Sequence, residues 1–71
     1  MQLIQNPIVN ILRIDVRKGD FIEMVDLAGH VSKRVYVSKG INEIDIYDIQ
    51  NGLYIIRNEF GETFKILKLG F

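Results

Sequence analysis

Six glycines divide the chain into segments of nearly equal length, and most of these segments alternate apolar with polar residues. The glycines are Gly19, Gly29, Gly40, Gly52, Gly61 and Gly70. Alternation with a period of two places side chains on opposite faces of a β-strand, whereas a helix needs a period of 3.6. A turn signal every ~8–12 residues is typical of a small immunoglobulin-like fold. The sequence therefore predicts an all-β, immunoglobulin-like antiparallel β-sandwich of about seven strands.

The alternating runs also indicate where the strands lie. We predict strands over residues 11–16, 21–27, 31–37, 41–46, 53–58 and 63–69, with an extended segment near residues 3–6. Leu12, Ile14 and Val16 are expected to face the core. Residues 21–27 and 53–58 carry apolar side chains on both faces, which favours strands that are covered on both sides. Residues 53–58 are the predicted centre of the core.

The length and composition limit the chain to one domain over residues 1–71. A chain of 71 residues buries only ~60% of the surface that its unfolded form exposes, so its core is thin. Nine basic residues balance nine acidic ones, which disfavours binding to nucleic acid. No apolar run approaches the ~20 residues of a membrane-spanning helix, and residues 1–7 do not resemble a signal peptide.

The residue types needed for catalysis or metal binding are scarce. The chain has no cysteine and one histidine, His30, and no glycine-rich loop leads into a helix. Asn42, Asp45, Asp48 and Asn51 carry oxygen ligands, but their spacing does not match an EF-hand loop, and such residues commonly form turns. We therefore predict no catalytic residue, no metal site, no cofactor and no enzymatic activity.

Two short motifs have turn chemistry. Asp26 and Gly29 bracket the tightest turn signal, since Asp accepts backbone hydrogen bonds two residues on and Gly tolerates a positive φ. Gly52 is expected to satisfy backbone geometry, and Tyr54 to place its ring in the core with its hydroxyl at the edge.

Four blocks of the sequence, taken in order, resemble the C-terminal sorting domain of the type IX secretion system. The first block is Asn6-Pro7 followed by Leu12 and Ile14. The second comprises Ile22, Met24, Asp26, Leu27 and Gly29. The third comprises Gly40, Asn42, Ile44, Asp45, Ile46, Ile49, Gly52, Tyr54 and Ile56. The fourth is the basic and aliphatic ending Lys65, Ile66, Leu67 and Lys68.

This resemblance implies a non-catalytic signal at the C-terminus of a larger secreted protein. A type IX translocon would recognise it and carry the attached N-terminal cargo from the periplasm across the outer membrane. A surface sortase would remove the domain and link the cargo to lipopolysaccharide at the cell surface.

The last predicted strand is the expected recognition element, because an edge strand can pair with a receptor by strand addition. Lys65 and Lys68 would set its orientation, and Phe64, Ile66 and Leu67 would supply apolar contact area. Alternatively, both lysines solvate an outer face and discourage aggregation at the sheet edge.

Two other functions fit the same fold. One is an immunoglobulin-like or fibronectin-like adhesion or carbohydrate-binding module without an export role, since sandwich domains host many functions. The other is a structural spacer. The sequence ends at Phe71 just after a predicted strand, which favours a terminal signal. The sequence leaves open whether the domain dimerises through Phe21, Val25 or the last strand.

Overall fold

A computed structural model describes residues 1–4 and 10–69 of the chain. The described residues form strands and no helix, and so contain no helix that could cross a membrane. The strands are β1 Gln2–Leu3, β2 Ile11–Val16, β3 Asp20–Asp26, β4 Val31–Val37, β5 Gly40–Asp45, β6 Gly52–Asn58 and β7 Thr63–Lys68. The predicted boundaries agree within one residue for β2 to β7. The predicted extended segment coincides with β1 only at Leu3, and its remainder, with Asn6 and Pro7, lies outside the described residues.

The strands form two antiparallel sheets. One sheet has three strands in the order β1-β2-β5, and the other has four strands in the order β4-β3-β6-β7. Every pair of neighbouring strands is antiparallel. This arrangement confirms the predicted all-β sandwich.

The core lies between the two sheets, where each strand directs alternate side chains inward. The three-stranded sheet and the residue after it contribute Leu12, Ile14, Val16, Ile44 and Ile46, and the four-stranded sheet contributes Ile22, Met24, Val37, Tyr54, Ile56 and Ile66. The inward placement predicted for β2 is confirmed. Burial of such a side chain contributes about 1.5–3 kcal/mol, so this single layer provides most of the apolar stabilisation.

The prediction that residues 53–58 are covered on both faces is wrong. Tyr54 and Ile56 face the core, and β6 lies between β3 and β7, so its central place is confirmed. On its other face Leu53 remains 43% exposed and Arg57 is exposed. The reason is that no described element packs over the outer face of the four-stranded sheet, so apolar residues there are only shielded by their neighbours.

The sandwich has two ends, which differ in what they hold. The Met1 end comprises Met1 and the β2–β3, β4–β5 and β6–β7 turns, since the Met1 amino group lies 3.1 Å from Glu62. The Lys68 end comprises the β3–β4 turn, the β5–β6 loop and the end of β7, since Lys68 pairs with Gly52. The two ends lie at opposite ends of the antiparallel strands.

Candidate functional site

β7 is the last strand of the four-stranded sheet among the described residues. It pairs with β6 from Arg57↔Thr63 to Gly52↔Lys68. Successive side chains of a β-strand point to opposite faces, so the side chains of β7 divide between the core and the outer face.

The two faces of β7 carry different chemistry. Phe64 and Ile66 face inward, with Phe64 packed at the margin of the core and Ile66 buried. Lys65 is exposed on the outer face and Leu67 is half-buried there. Thus only part of the predicted recognition set reaches the surface of the folded domain.

Lys68 lies on the inward face, and the alternative that it solvates an outer face is wrong. It exposes 2% of its surface, and its Nζ lies 3.5 Å from Asn51 Oδ1 in the β5–β6 loop. Burial of an ammonium group is unfavourable unless the charge finds a polar partner, and the aliphatic stem of lysine packs well against apolar surface. A partner protein therefore cannot contact Lys68 directly while β7 remains in the sheet.

The β3–β4 turn beside this end is built on Asp26, as predicted. Asp26 Oδ1 accepts hydrogen bonds from the backbone N–H groups of Ala28 at 2.9 Å and His30 at 2.8 Å. The Gly29 N–H bonds the Asp26 carbonyl at 3.0 Å, and Gly29 has a φ of 89°, which disfavours residues with a side chain. Both motif residues thus define the reversal of the chain.

The β5–β6 loop is held by Asp45 and Tyr54. Asp45 Oδ1 accepts the Tyr47 N–H at 3.1 Å, and the Tyr54 hydroxyl donates to the Gln50 carbonyl at 2.6 Å. Gly52, which lies between these two residues in the sequence, has a φ of 150°. Burial raises the pKa of Tyr54, and the neighbouring Asp26 carboxylate raises it further. The Tyr54 hydroxyl therefore remains protonated and keeps its hydrogen bond at neutral pH.

The described motif residues therefore converge at the Lys68 end. Asp26 pairs with Tyr54 across β3 and β6, and Gly52 pairs with Lys68 across β6 and β7. Residues far apart in the sequence thus surround the point where β7 ends.

The residues weighed as calcium ligands take part in turn and loop contacts instead. Asn42 Nδ2 donates to the Ser38 carbonyl at 2.7 Å, and Asp48 lies 3.7 Å from Lys33 Nζ. Residues 1–4 and 10–69 hold no cluster of acidic residues and histidine that could bind a metal ion. His30 is exposed, and its Nδ1 lies 3.5 Å from Asp26 Oδ2.

The two side chains considered as dimerisation contacts offer little free surface. Val25 is 6% exposed, next to an irregularity in the β3–β4 pairing. The ring of Phe21 is covered by the Arg34 guanidinium at 3.8 Å and by Tyr36 in an edge-to-face contact at 5.2 Å.

Residues 5–69 match the model of a protein family described as the secretion system C-terminal sorting domain. The chain belongs to this family. No curated protein and no solved structure matches the chain. Membership confirms the resemblance noted in the sequence and covers nearly the whole chain, including all six long strands.

A sorting domain of the type IX system marks its parent protein for export from the cell, either to the surface or into the medium. It interacts with the secretion machinery and is attached to a cargo. Family membership is consistent with the prediction of no enzymatic activity. The sequence did not identify Asn51 as the partner of Lys68. The signal available was an Asx residue directly before Gly52, which indicates a turn but not a contact with β7.

Proposed function

We propose that the sorting domain is recognised through β7, whose exposed outer-face side chain contacts the type IX translocon. The observation that carries this proposal is the exposure of Lys65 on the outer face of β7, with Leu67 half-buried beside it.

The hydrogen-bond alternation of the hairpin supports an outward role for Lys65. The Asn58 N–H donates to the Glu62 carbonyl at 3.1 Å. Hydrogen-bonded and non-bonded pairs alternate in an antiparallel ladder, so Phe64, Ile66 and Lys68 bond to β6. Lys65 lies between these inward-facing residues, and its side chain is exposed on the outer face.

The residues of β7 then divide into two roles. Phe64, Ile66 and Lys68 anchor the strand to the core and to the β5–β6 loop. Lys65, with Leu67 beside it on the outer face, contacts the translocon. A like charge on the partner would oppose docking, so Lys65 would select an acidic or neutral surface of the translocon.

We also infer the later steps that the family resemblance implies. After export, a surface sortase cleaves ahead of the domain and links the cargo to lipopolysaccharide. The Met1 end, where a cargo would join, is remote from Lys68, which supports access to both ends at once.

An export assay tests the role of β7. The full chain is fused behind a periplasm-directed fluorescent protein in a strain with a functional type IX system, and fluorescence is compared between periplasm and medium or cell surface. The intact fusion is expected to be exported, and a fusion lacking residues 65–71 is expected to remain in the periplasm.

Point variants separate recognition from folding, because the truncation also removes the buried Ile66. Lys65→Glu is expected to lower export, whereas Lys39→Glu in the exposed β4–β5 turn makes the same charge change and should leave export unchanged. Equal export by both variants would contradict the role of Lys65. Retention of the intact fusion, with the domain folded, would favour the adhesion-module alternative.

A further inference from the structure

The Met1 end contains an open cleft of about 650 Å³ that none of the functions above uses. One wall is the end of β2 with the turn that follows it, and the other wall is the β6–β7 turn. The Lys18 ammonium lies 4.4 Å from the centre of the Phe60 ring and joins the two walls.

Met1 is fixed in this cleft. Its side chain exposes 1% of its surface, and its nitrogen lies 3.1 Å from both carboxylate oxygens of Glu62. The Asn58 amide donates to Glu62 Oε1 at 2.7 Å, and this bond, together with the Met1 ammonium, lowers the pKa of Glu62. When Met1 is joined to a preceding residue, its amide N–H can still donate to Glu62. A residue joined ahead of Met1 would therefore begin in the cleft, beside Glu62.

The register of β1 predicts the path of that segment. Gln2 lies opposite Asp15 and Leu3 opposite Ile14 in an antiparallel pair. Continued in the same register, Met1 lies opposite Val16, and the residue ahead of Met1 lies opposite Arg17. The cleft wall contains Val16, Arg17 and Lys18, so a segment that continued the β1 pairing would follow this wall.

The chemistry of the cleft favours a polypeptide over a small polar ligand. Within the described residues, each buried side-chain nitrogen or oxygen has a hydrogen-bond partner. Asp20, the buried carboxylate in the cleft, accepts the Glu59 N–H at 3.4 Å. The walls carry both charge signs, so no ion of one sign is selected. A strand edge recognises backbone groups without requiring a particular side chain.

We propose that the last residues of the cargo linker, directly ahead of Met1, extend β1 along β2 and dock in this cleft. This inference rests on the proposed function, because it requires a cargo joined ahead of Met1. Docking would fix the orientation of the linker close to the domain, while the Lys68 end remains unobstructed.

Disulfide trapping in the cargo fusion tests this path. The chain has no cysteine, so one pair can be introduced with the linker residue directly ahead of Met1 changed to Cys. Arg17→Cys supplies the predicted partner, since Cα atoms of opposed residues lie about 4.5–5.5 Å apart, within disulfide range. Tyr47→Cys is the control, because Tyr47 is exposed in a turn at the opposite end.

We expect the Arg17→Cys pair to form at least about tenfold faster than the Tyr47→Cys pair, since a docked residue has the higher effective concentration. Amide hydrogen exchange in the cysteine-free fusion provides a second readout, with slower exchange expected in the residue ahead of Met1 than farther along the linker. Equal trapping rates, together with uniformly fast exchange, would overturn the proposal.

Export of the cysteine-free fusion is scored separately. Docking without export would leave the cleft assignment in place and overturn the proposed function. Export without docking would overturn the cleft assignment and leave the proposed function in place.

Discussion

The Asp26 turn allows a quantitative test of whether a motif residue acts through folding. Asp26→Ala removes the acceptor of two backbone hydrogen bonds, from Ala28 and His30, at 2.9 and 2.8 Å. The turn is exposed, so solvent screening lowers each bond from the ~1.5–3 kcal/mol of a bond to a charged group to about 1 kcal/mol. The expected loss of about 2 kcal/mol lowers Tm by about 8–16 °C in a domain of this size.

Asp26→Asn is the matched control, because it keeps an oxygen acceptor at the Oδ1 position and removes only the charge. We expect it to lower the free energy of unfolding by less than about 1 kcal/mol. The assay is thermal and urea unfolding of the chain followed by circular dichroism. Equal destabilisation by Asn and Ala would refute the argument, because the charge would then matter more than the acceptor geometry.

The same two variants separate folding from recognition in the cargo fusion. We expect export to follow the folded fraction, so that Asp26→Asn is exported as well as the parent sequence. Loss of export by Asp26→Asn with an unchanged Tm would instead assign Asp26 to a contact with the translocon.

Three further substitutions test the core and the packing of aromatic side chains. Tyr54→Phe should cost about 1 kcal/mol by removing the bond to Gln50. Because the folded pKa of Tyr54 is raised above 10.0, the stability that this group provides is fully present below the unfolded pKa and is lost as the pH rises through the folded pKa. The variant should therefore show a smaller fall in Tm between about pH 9 and about pH 11. Gly19→Ala should displace the Tyr36 ring, since a Cβ there would lie 2.0 Å from the Tyr36 hydroxyl. The displacement should change the NMR shifts of the Phe21 ring, because it disturbs an edge-to-face contact of about 0.5–1.5 kcal/mol. Ile56→Ala should cost about 2–5 kcal/mol in urea unfolding, and a cost below about 1 kcal/mol would contradict its place in the core.

Most of the fold could be predicted from the sequence, because period-two alternation and turn residues act locally. The inward placement of Leu12 and Ile14 follows directly from that period. The exposure of Leu53 could not be predicted, since it depends on whether another layer covers the sheet. Strand order is equally non-local and is determined by packing between distant segments.

Two rules make opposite predictions for the side chain of Lys68. Its charge favours the outer face, whereas alternation with Phe64 and Ile66 places it inward. Alternation prevails because Lys68 lies at the end of the sheet, where Asn51 provides a polar partner. No pattern in the sequence joins these two residues, so this part of the candidate site could be found only from the structure.

The burial of Lys68 also makes its amine a chemical reporter of the conformation in which the domain is transported. Amine-reactive reagents should modify the exposed Lys39 and Lys65 in the folded domain and spare Lys68. Mass spectrometry of a cargo fusion arrested during export can then compare these three sites within one molecule. Modification of Lys68 would mean that β7 has left the sheet during transit, and protection would mean that the domain passes with β7 in place.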